Sequence, residues 1–389
     1  MIKLLSVLID ERSTGLDKLY EIIDVMWELP PITDVTPELP FIYGAVVQRR
    51  IECEDEAKYM LKQRWARYWC DEDYEEMVEH PIEAPILILA GLNDDIFYAN
   101  EGLMAFNSTD APKRTIITNR GHVGCYPGPY PMEMPENPES EWIMGEIDRW
   151  FDRWLKGIQN GVEDEPSVAF YRDSDPDVYG MADEYPLPGT YRVYLYLGDG
   201  AANLNTEAPQ GWFSWPDVIF NTGITGSVSV PYFNDATTLM DGKPLDLPSS
   251  IKLLEIPFTE CEFATAPLEE DLTIMGPPML ELYYQSQQRF VQLVPFIYEV
   301  TPEGDEILVS RGWYEGQKLE PWSLVDTADA PVEMQAVYHH FQEGSRIKLE
   351  ITTADLPMTW PYRGFDLILL HHSKDAPSRL MLPVVPDEN

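Results

Sequence analysis

The residues that could do chemistry sit in two short loops. Asp94 closes Gly91-Leu92-Asn93-Asp94, directly after the apolar run Pro85 to Ala90, and His122 closes Asn119-Arg120-Gly121-His122, directly after Arg114 to Thr118. Both runs are short, rich in branched residues and bounded by loop formers, so they read as buried strands of a parallel sheet. In such sheets catalytic groups lie beyond the carboxyl ends of the strands. A carboxylate and an imidazole at that place suit acyl transfer, in which the imidazole takes a proton from a serine and the carboxylate fixes its tautomer and stabilises its charged form. Asp94 is the preferred acid because the fourth position of Gly-x-x-Asp lets a sharp strand exit aim the side chain across the top of the sheet. Asp95 remains an alternative.

Carboxylate before histidine is the α/β-hydrolase chain order, with the serine expected earlier on a Gly-x-Ser-x-Gly elbow. No such elbow occurs in the 389 residues. Ser227 and Ser229 follow Gly226 in a β-alternating run, and Ser249-Ser250-Ile251-Lys252 matches Ser-x-x-Lys where a strand, not a helix, begins. Cys125 reads as a small buried side chain. His80 stands alone, while His339-His340 and His371-His372 lie on expected strands, where adjacent side chains point to opposite faces and offer at most one ligand per face. Asp173-Ser174-Asp175-Pro176-Asp177 lacks the Gly and closing Glu of a calcium loop. No metal site is expected from these residues.

The elements that position the two loops follow from periodicity. Residues 1–82 read as helices and Pro-rich connectors, with Tyr59, Leu61, Trp65, Tyr68 and Trp69 set among charges in the manner of a lid. Between the two strands a helix is expected over Asn100 to Phe106. After the second, Ile143, Ile147, Trp150, Phe151, Trp154 and Leu155 repeat at helical spacing, with Gly157 as the stop. Beyond Gly161 short alternating runs (Tyr191 to Leu197, Ile251 to Ile256, Met279 to Tyr284, Phe290 to Val300, Arg346 to Ile351, Phe365 to Leu370) predict an all-β domain. The expected division is therefore 1–82, 83–160 and 161–389.

Composition narrows the partners. With 67 acidic and 27 basic side chains the net charge is −40, which repels phosphate and argues against nucleic acid or an anionic membrane. An apolar fraction of 44% with eleven tryptophans still demands packed cores. Cys53, Cys70, Cys125 and Cys261 are too scattered for a zinc or redox pair and are expected as free thiols. The N-terminus lacks signal-peptide character, and a soluble, cytoplasmic protein is expected.

Three groups of residues together resemble the cocaine esterase and X-prolyl dipeptidyl-peptidase (CocE/NonD) family of serine hydrolases. They are the helix Asp148 to Gly157, the two loops, and the β-domain stretches Leu272 to Pro278, Glu343 to Ile351 and Pro377 to Pro383. The resemblance runs from about residue 65 to the end. It implies an α/β plus all-β architecture: a partial α/β-hydrolase domain with a helical cap in residues 1–82, followed by a C-terminal β jelly roll of galactose-binding-like topology. It also implies Asp94 as triad acid, His122 as general base, an ester or peptide substrate, and no cofactor. Family members carry the nucleophile and an oxyanion-hole tyrosine before the cap, so the chain is expected to be the C-terminal portion of a hydrolase, associated with an N-terminal hydrolase partner chain or as a homo-oligomer; the alternatives are a serine-less relative that binds through the jelly roll and an enzyme with a different nucleophile. Where the family has tryptophans after the domain junction this chain has Tyr179 and Tyr185.

Overall fold

The computed structural model describes residues 84–94, 98–119, 138–172, 179–199, 203–221, 227–229, 250–252, 258–288, 290–317, 320–328, 330–353, 355–356 and 365–386. The chain divides into two compact units, 1–79 and 80–389, and every described residue belongs to the second. The expected helical cap, His80, Asp95, His122, Cys53, Cys70, Cys125 and the acidic run 173–177 lie outside the described residues.

A βαβ unit opens the description. β1 (Ile86–Gly91) and β2 (Lys113–Thr118) pair in parallel, from Ile86 opposite Lys113 to Gly91 opposite Thr118. Parallel neighbours need a crossover, and α1 (Ala99–Asn107) provides it, burying Leu103 and Phe106. The approach of α1 to the sheet is tight at Gly102, where a β-carbon would lie 3.1 Å from Ile88 Cγ2. After α2 (Pro138–Trp154), β3 (Val168–Phe170) adds to β2 in parallel and β4 (Gly180–Ala182) closes the sheet antiparallel. The sheet thus takes in strands beyond residue 160.

The helix α2 ends as its sequence predicts. Gly157 adopts φ +73°, and the Ile158 N–H reaches back to the Asp152 carbonyl at 2.9 Å, a left-handed cap that β-carbon-bearing residues disfavour. Its inner face buries Ile143 and Trp150, whereas Phe151 and Leu155 are 48% and 76% exposed. Beneath it the buried Arg114 of β2 bonds Glu146 and Glu165, each at 2.7 Å. Arg149 joins both carboxylates, so the buried guanidinium and Glu146 are compensated together.

From Tyr191 onward the described residues form strands and connectors only. Arg379–Val385 pairs with Tyr191–Leu197 and, in succession, with Met279–Glu281 and Leu272–Gly276. In a second sheet Phe290–Val300 pairs with Arg346–Thr352, Glu306–Arg311 and Tyr314–Gln317. In a third, Asp366–Ser373 lies between Asp217–Asn221 and Tyr283–Ser286, its residues alternating buried and half-buried as a period of two requires. One apolar core joins the sheets, with Ile274 and Leu382 from the first, Ile297 and Leu349 from the second, and Tyr284 and Ile368 from the third. The result is a β-sandwich. The run Met279 to Tyr284 splits at Leu282, whose N–H donates to Thr327 Oγ1 at 2.8 Å. A second apolar cluster, with Ala90, Leu103 and Phe170 on one side and Met275, Ala336 and Val385 on the other, packs the βαβ unit onto the sandwich. Tyr185 packs against this cluster and Tyr179 lies 4.6 Å, ring to ring, from Trp142. Among the described residues no helix is long and apolar enough to cross a membrane.

Candidate active site

At the carboxyl end of β1 the backbone turns sharply. The Leu92 N–H donates to the Thr118 carbonyl at 2.8 Å, extending the ladder by one rung, and the Asp94 N–H returns to the Gly91 carbonyl at 3.1 Å. Asp94 is 7% exposed. Between these bonds the Asn93 side-chain amide donates to the Asn119 carbonyl at 3.1 Å and to Asn119 Oδ1 at 2.8 Å. The exit loops of β1 and β2 are thereby tied to each other. Asn119 is the last described residue before Gly121-His122, so the position of the histidine itself is outside the described residues.

The N-terminus of α1 crowds the same corner with negative charge. Burial pushes the Glu101 carboxyl up to about 7, and the nearby charges of Asp94 and Glu333 add to the effect. Glu101 therefore holds a proton through much of the neutral range. Beside it Asn100 fixes α1 to the sandwich, donating to Glu333 Oε1 at 2.5 Å and to the Met334 carbonyl at 2.9 Å, and accepting from the Ala336 N–H at 2.7 Å. Tyr98 stacks on Trp313 with ring centroids 5.2 Å apart. A cavity of about 30 Å³, room for about one water, opens between Asn93, Asn119, Arg311, Gln335 and Tyr338.

Sequence reasoning selected Asp94 and missed Glu101, Glu333, Asn93 and Asn119. Glu101 had a local signal, an acid in the first turn of the helix that follows the Asp loop. Glu333 had none, being separated by more than two hundred residues.

The remaining candidates have other surroundings. The two histidine pairs lie on different sheets, and among the described residues no group of histidine, cysteine and acid side chains could hold a metal ion. His339 bonds Glu299 at 2.9 Å, His371 bonds Gln285 at 3.0 Å, and His372 Nε2 lies 3.1 Å from Asp217. His340 Nδ1 meets Thr273 Oγ1 at 2.9 Å, as their opposition on adjacent strands requires. They border a cavity of about 670 Å³ lined also by Phe170, Arg172 and Asp271. Ser227 and Ser229 are on one strand and Ser250 and Lys252 on the strand paired with it. Cys261 is a free, buried thiol that burial pushes well above its ordinary range.

With this geometry the chain can be compared with known proteins. The family model described as the X-Pro dipeptidyl-peptidase C-terminal non-catalytic domain matches residues 160–380, more than half of the sequence. The chain belongs to this family. The match takes in β3, β4 and nearly all of the sandwich, and the βαβ unit precedes it.

Among relatives, a Bacillus anthracis protein with the provisional name Xaa-Pro dipeptidyl-peptidase is 21% identical over 292 residues, which is 74% of this chain and 42% of that protein. A Bacillus cereus protein of the same name is 20% identical over 292 residues, 74% of this chain and 43% of its own length. The chain therefore spans less than half the length of these relatives.

Solved structures agree on the fold. An aminopeptidase from a marine sediment Thaumarchaeota archaeon superimposes with a TM-score of 0.60 at 16% identity, over 80% of this chain and 57% of that one. A CocE/NonD family hydrolase from Staphylococcus aureus gives 0.56 at 14%, over 78% and 55%. An α-amino acid ester hydrolase gives 0.59 at 16%, over 80% and 57%.

Proposed function

We propose that the chain is the C-terminal portion of a serine hydrolase acting on acyl esters or on X-Pro and aminoacyl amides, to which it contributes Asp94 as triad acid and His122 as general base. The nucleophilic serine is carried by a segment outside these 389 residues, on the same polypeptide or on a partner chain. In this reading residues 1–82 form a helical cap, the sandwich is a jelly roll of galactose-binding-like topology, and the protein works in the cytoplasm without metal or cofactor.

The observation that carries the reading is the tie between Asn93 and Asn119. It joins the loop that bears a buried Asp94 to the loop that runs into Gly121-His122, at the carboxyl ends of adjacent parallel strands. That is the support a carboxylate–imidazole pair needs. The relatives' names point to the same substrate classes.

The test is reconstitution. Alone, the chain should neither hydrolyse p-nitrophenyl acyl esters or aminoacyl-proline amides nor take up a fluorophosphonate label. Joined to a Gly-x-Ser-x-Gly segment encoded immediately upstream, it should gain hydrolysis, and Asp94→Asn should then lower kcat by about 10⁴-fold, the loss expected when a triad imidazole loses its orienting carboxylate. Labelling of a serine within this chain, or a reconstituted activity indifferent to Asp94→Asn, would overturn the assignment.

A further inference from the structure

Far from Asp94 in sequence, the sandwich carries a second feature that the proposed hydrolysis does not use. Trp212 and Trp215 are 81% and 78% exposed and Phe213 is 57% exposed, three large aromatic side chains within four residues. Phe213 and Trp215 stand nearly at right angles, interplanar 77° with centroids 5.3 Å apart, and Trp212 is tilted 52° to Phe213 at 6.1 Å. Such rings expose apolar surface that a folded chain ordinarily covers, unless it serves recognition.

Phe213 forms one wall of a cavity of about 230 Å³ whose other walls include Asp199, Asn205, Glu207, Ser214 and His372. The aromatic loop is tied to the sandwich at its start, where the Gly211 carbonyl accepts the Lys374 N–H at 2.8 Å. The floor is His372, whose side chain is 1% exposed, with Nε2 at 3.1 Å from Asp217 and 3.8 Å from Asp199. Burial alone would disfavour its charge, yet the two carboxylates prevail and raise its pKa. Asp217 is the nearer carboxylate to His372, and Asp199 and Glu207 place two further carboxylates at the cavity.

We propose that this rim binds an organic ammonium cation, free or on a lysine side chain. The Phe213 wall, with Trp215 packed against it, offers a cation an aromatic quadrupole, and the two carboxylates attract it over distance. A sugar would prefer a flat aromatic platform with donors beside it. The mouth instead sets two carboxylates beside rings that are steeply inclined to one another, and those carboxylates repel an anion. A second copy of this chain, at −40, fits the site no better.

The proposal is tested on the full chain by titrating tetramethylammonium while following tryptophan fluorescence and heat. The neutral near-isostere 2,2-dimethylpropan-1-ol, galactose and a short lysine peptide are run beside it. Saturable binding of tetramethylammonium is expected, with about tenfold weaker binding of the neutral isostere and no saturation by galactose. Trp215→Ala and Glu207→Gln should each weaken the cation about tenfold; both positions are exposed, and unchanged circular dichroism would show that the fold is kept. A lysine peptide that binds more tightly than tetramethylammonium would assign the cation to a side chain, and the reverse order to a free amine. Equal affinity for the neutral isostere, preference for galactose, or binding unmoved by both substitutions would overturn the proposal.

Discussion

Two carboxylates, a buried one in the sandwich and a half-buried one in the βαβ unit, have been driven in opposite directions. Glu299 lies in the sandwich strand Phe290–Val300 and is 4% exposed. Burial pushes its carboxyl up, but a bond from His339 at 2.9 Å, the nearby Ser345 and the Gln342 N–H at 3.1 Å outweigh that and hold it down at about 2. Glu101 lies at the start of α1, where burial is joined by the like charges of Asp94 and Glu333, and it rises to about 7. The sandwich surrounds its acid with donors, which is how a structural charge is accommodated. The βαβ corner surrounds its acid with other acids, an arrangement that costs stability and that characterises sites built for proton chemistry.

The comparison can be broken most severely on the sandwich side. Glu299→Ala leaves His339 and the Gln342 N–H without their acceptor and should cost about 2–3 kcal/mol, read from urea unfolding at pH 7. An intermediate effect concerns pH. Because the Glu299 pKa is depressed, its contribution is complete above the ordinary carboxylate range near 4.5 and drains away as pH falls toward 2. Glu101 is raised, so the stability linked to its proton is complete below about 4.5 and is lost as pH climbs through about 7. Glu101→Gln should therefore match the parent at pH 4 and exceed it at pH 8 by on the order of 1 kcal/mol. The smallest effect is the coupling. In an Asp94→Asn background the gain from Glu101→Gln at pH 8 should shrink by a few tenths of a kcal/mol, and a double-mutant cycle with no shrinkage would separate Glu101 from Asp94.

Much of this architecture was legible in the sequence because its signals are local. The apolar run before Gly91 gave β1, the repeat from Ile143 to Trp150 with Gly157 gave α2, and the alternation of Phe365 to Leu370 gave the sandwich strand Asp366–Ser373. Phe151 and Leu155 fit the same helical repeat and are exposed, since periodicity marks a stripe and not what covers it. The place of Asp94 at the exit of β1 was legible from its loop. The tie from Asn93 to Asn119 was not, because asparagine in a loop has many local uses and only the parallel register of β1 and β2 decides which one is realised. Glu333 and Trp313 were invisible for a similar reason: they reach the corner through the pairing order of strands far along the chain.

The side chain of Asn100 also bears on the order in which the molecule can be assembled. Its amide is satisfied by residues 333, 334 and 336, more than two hundred positions later. During synthesis β1, α1 and β2 leave the ribosome long before those partners exist, and a contact of such sequence separation forms late. The corner that holds Asp94 is therefore seated only when the strand Val337–Phe341 and its approach have been made, so that the candidate site is completed by the sandwich, and ripens with it.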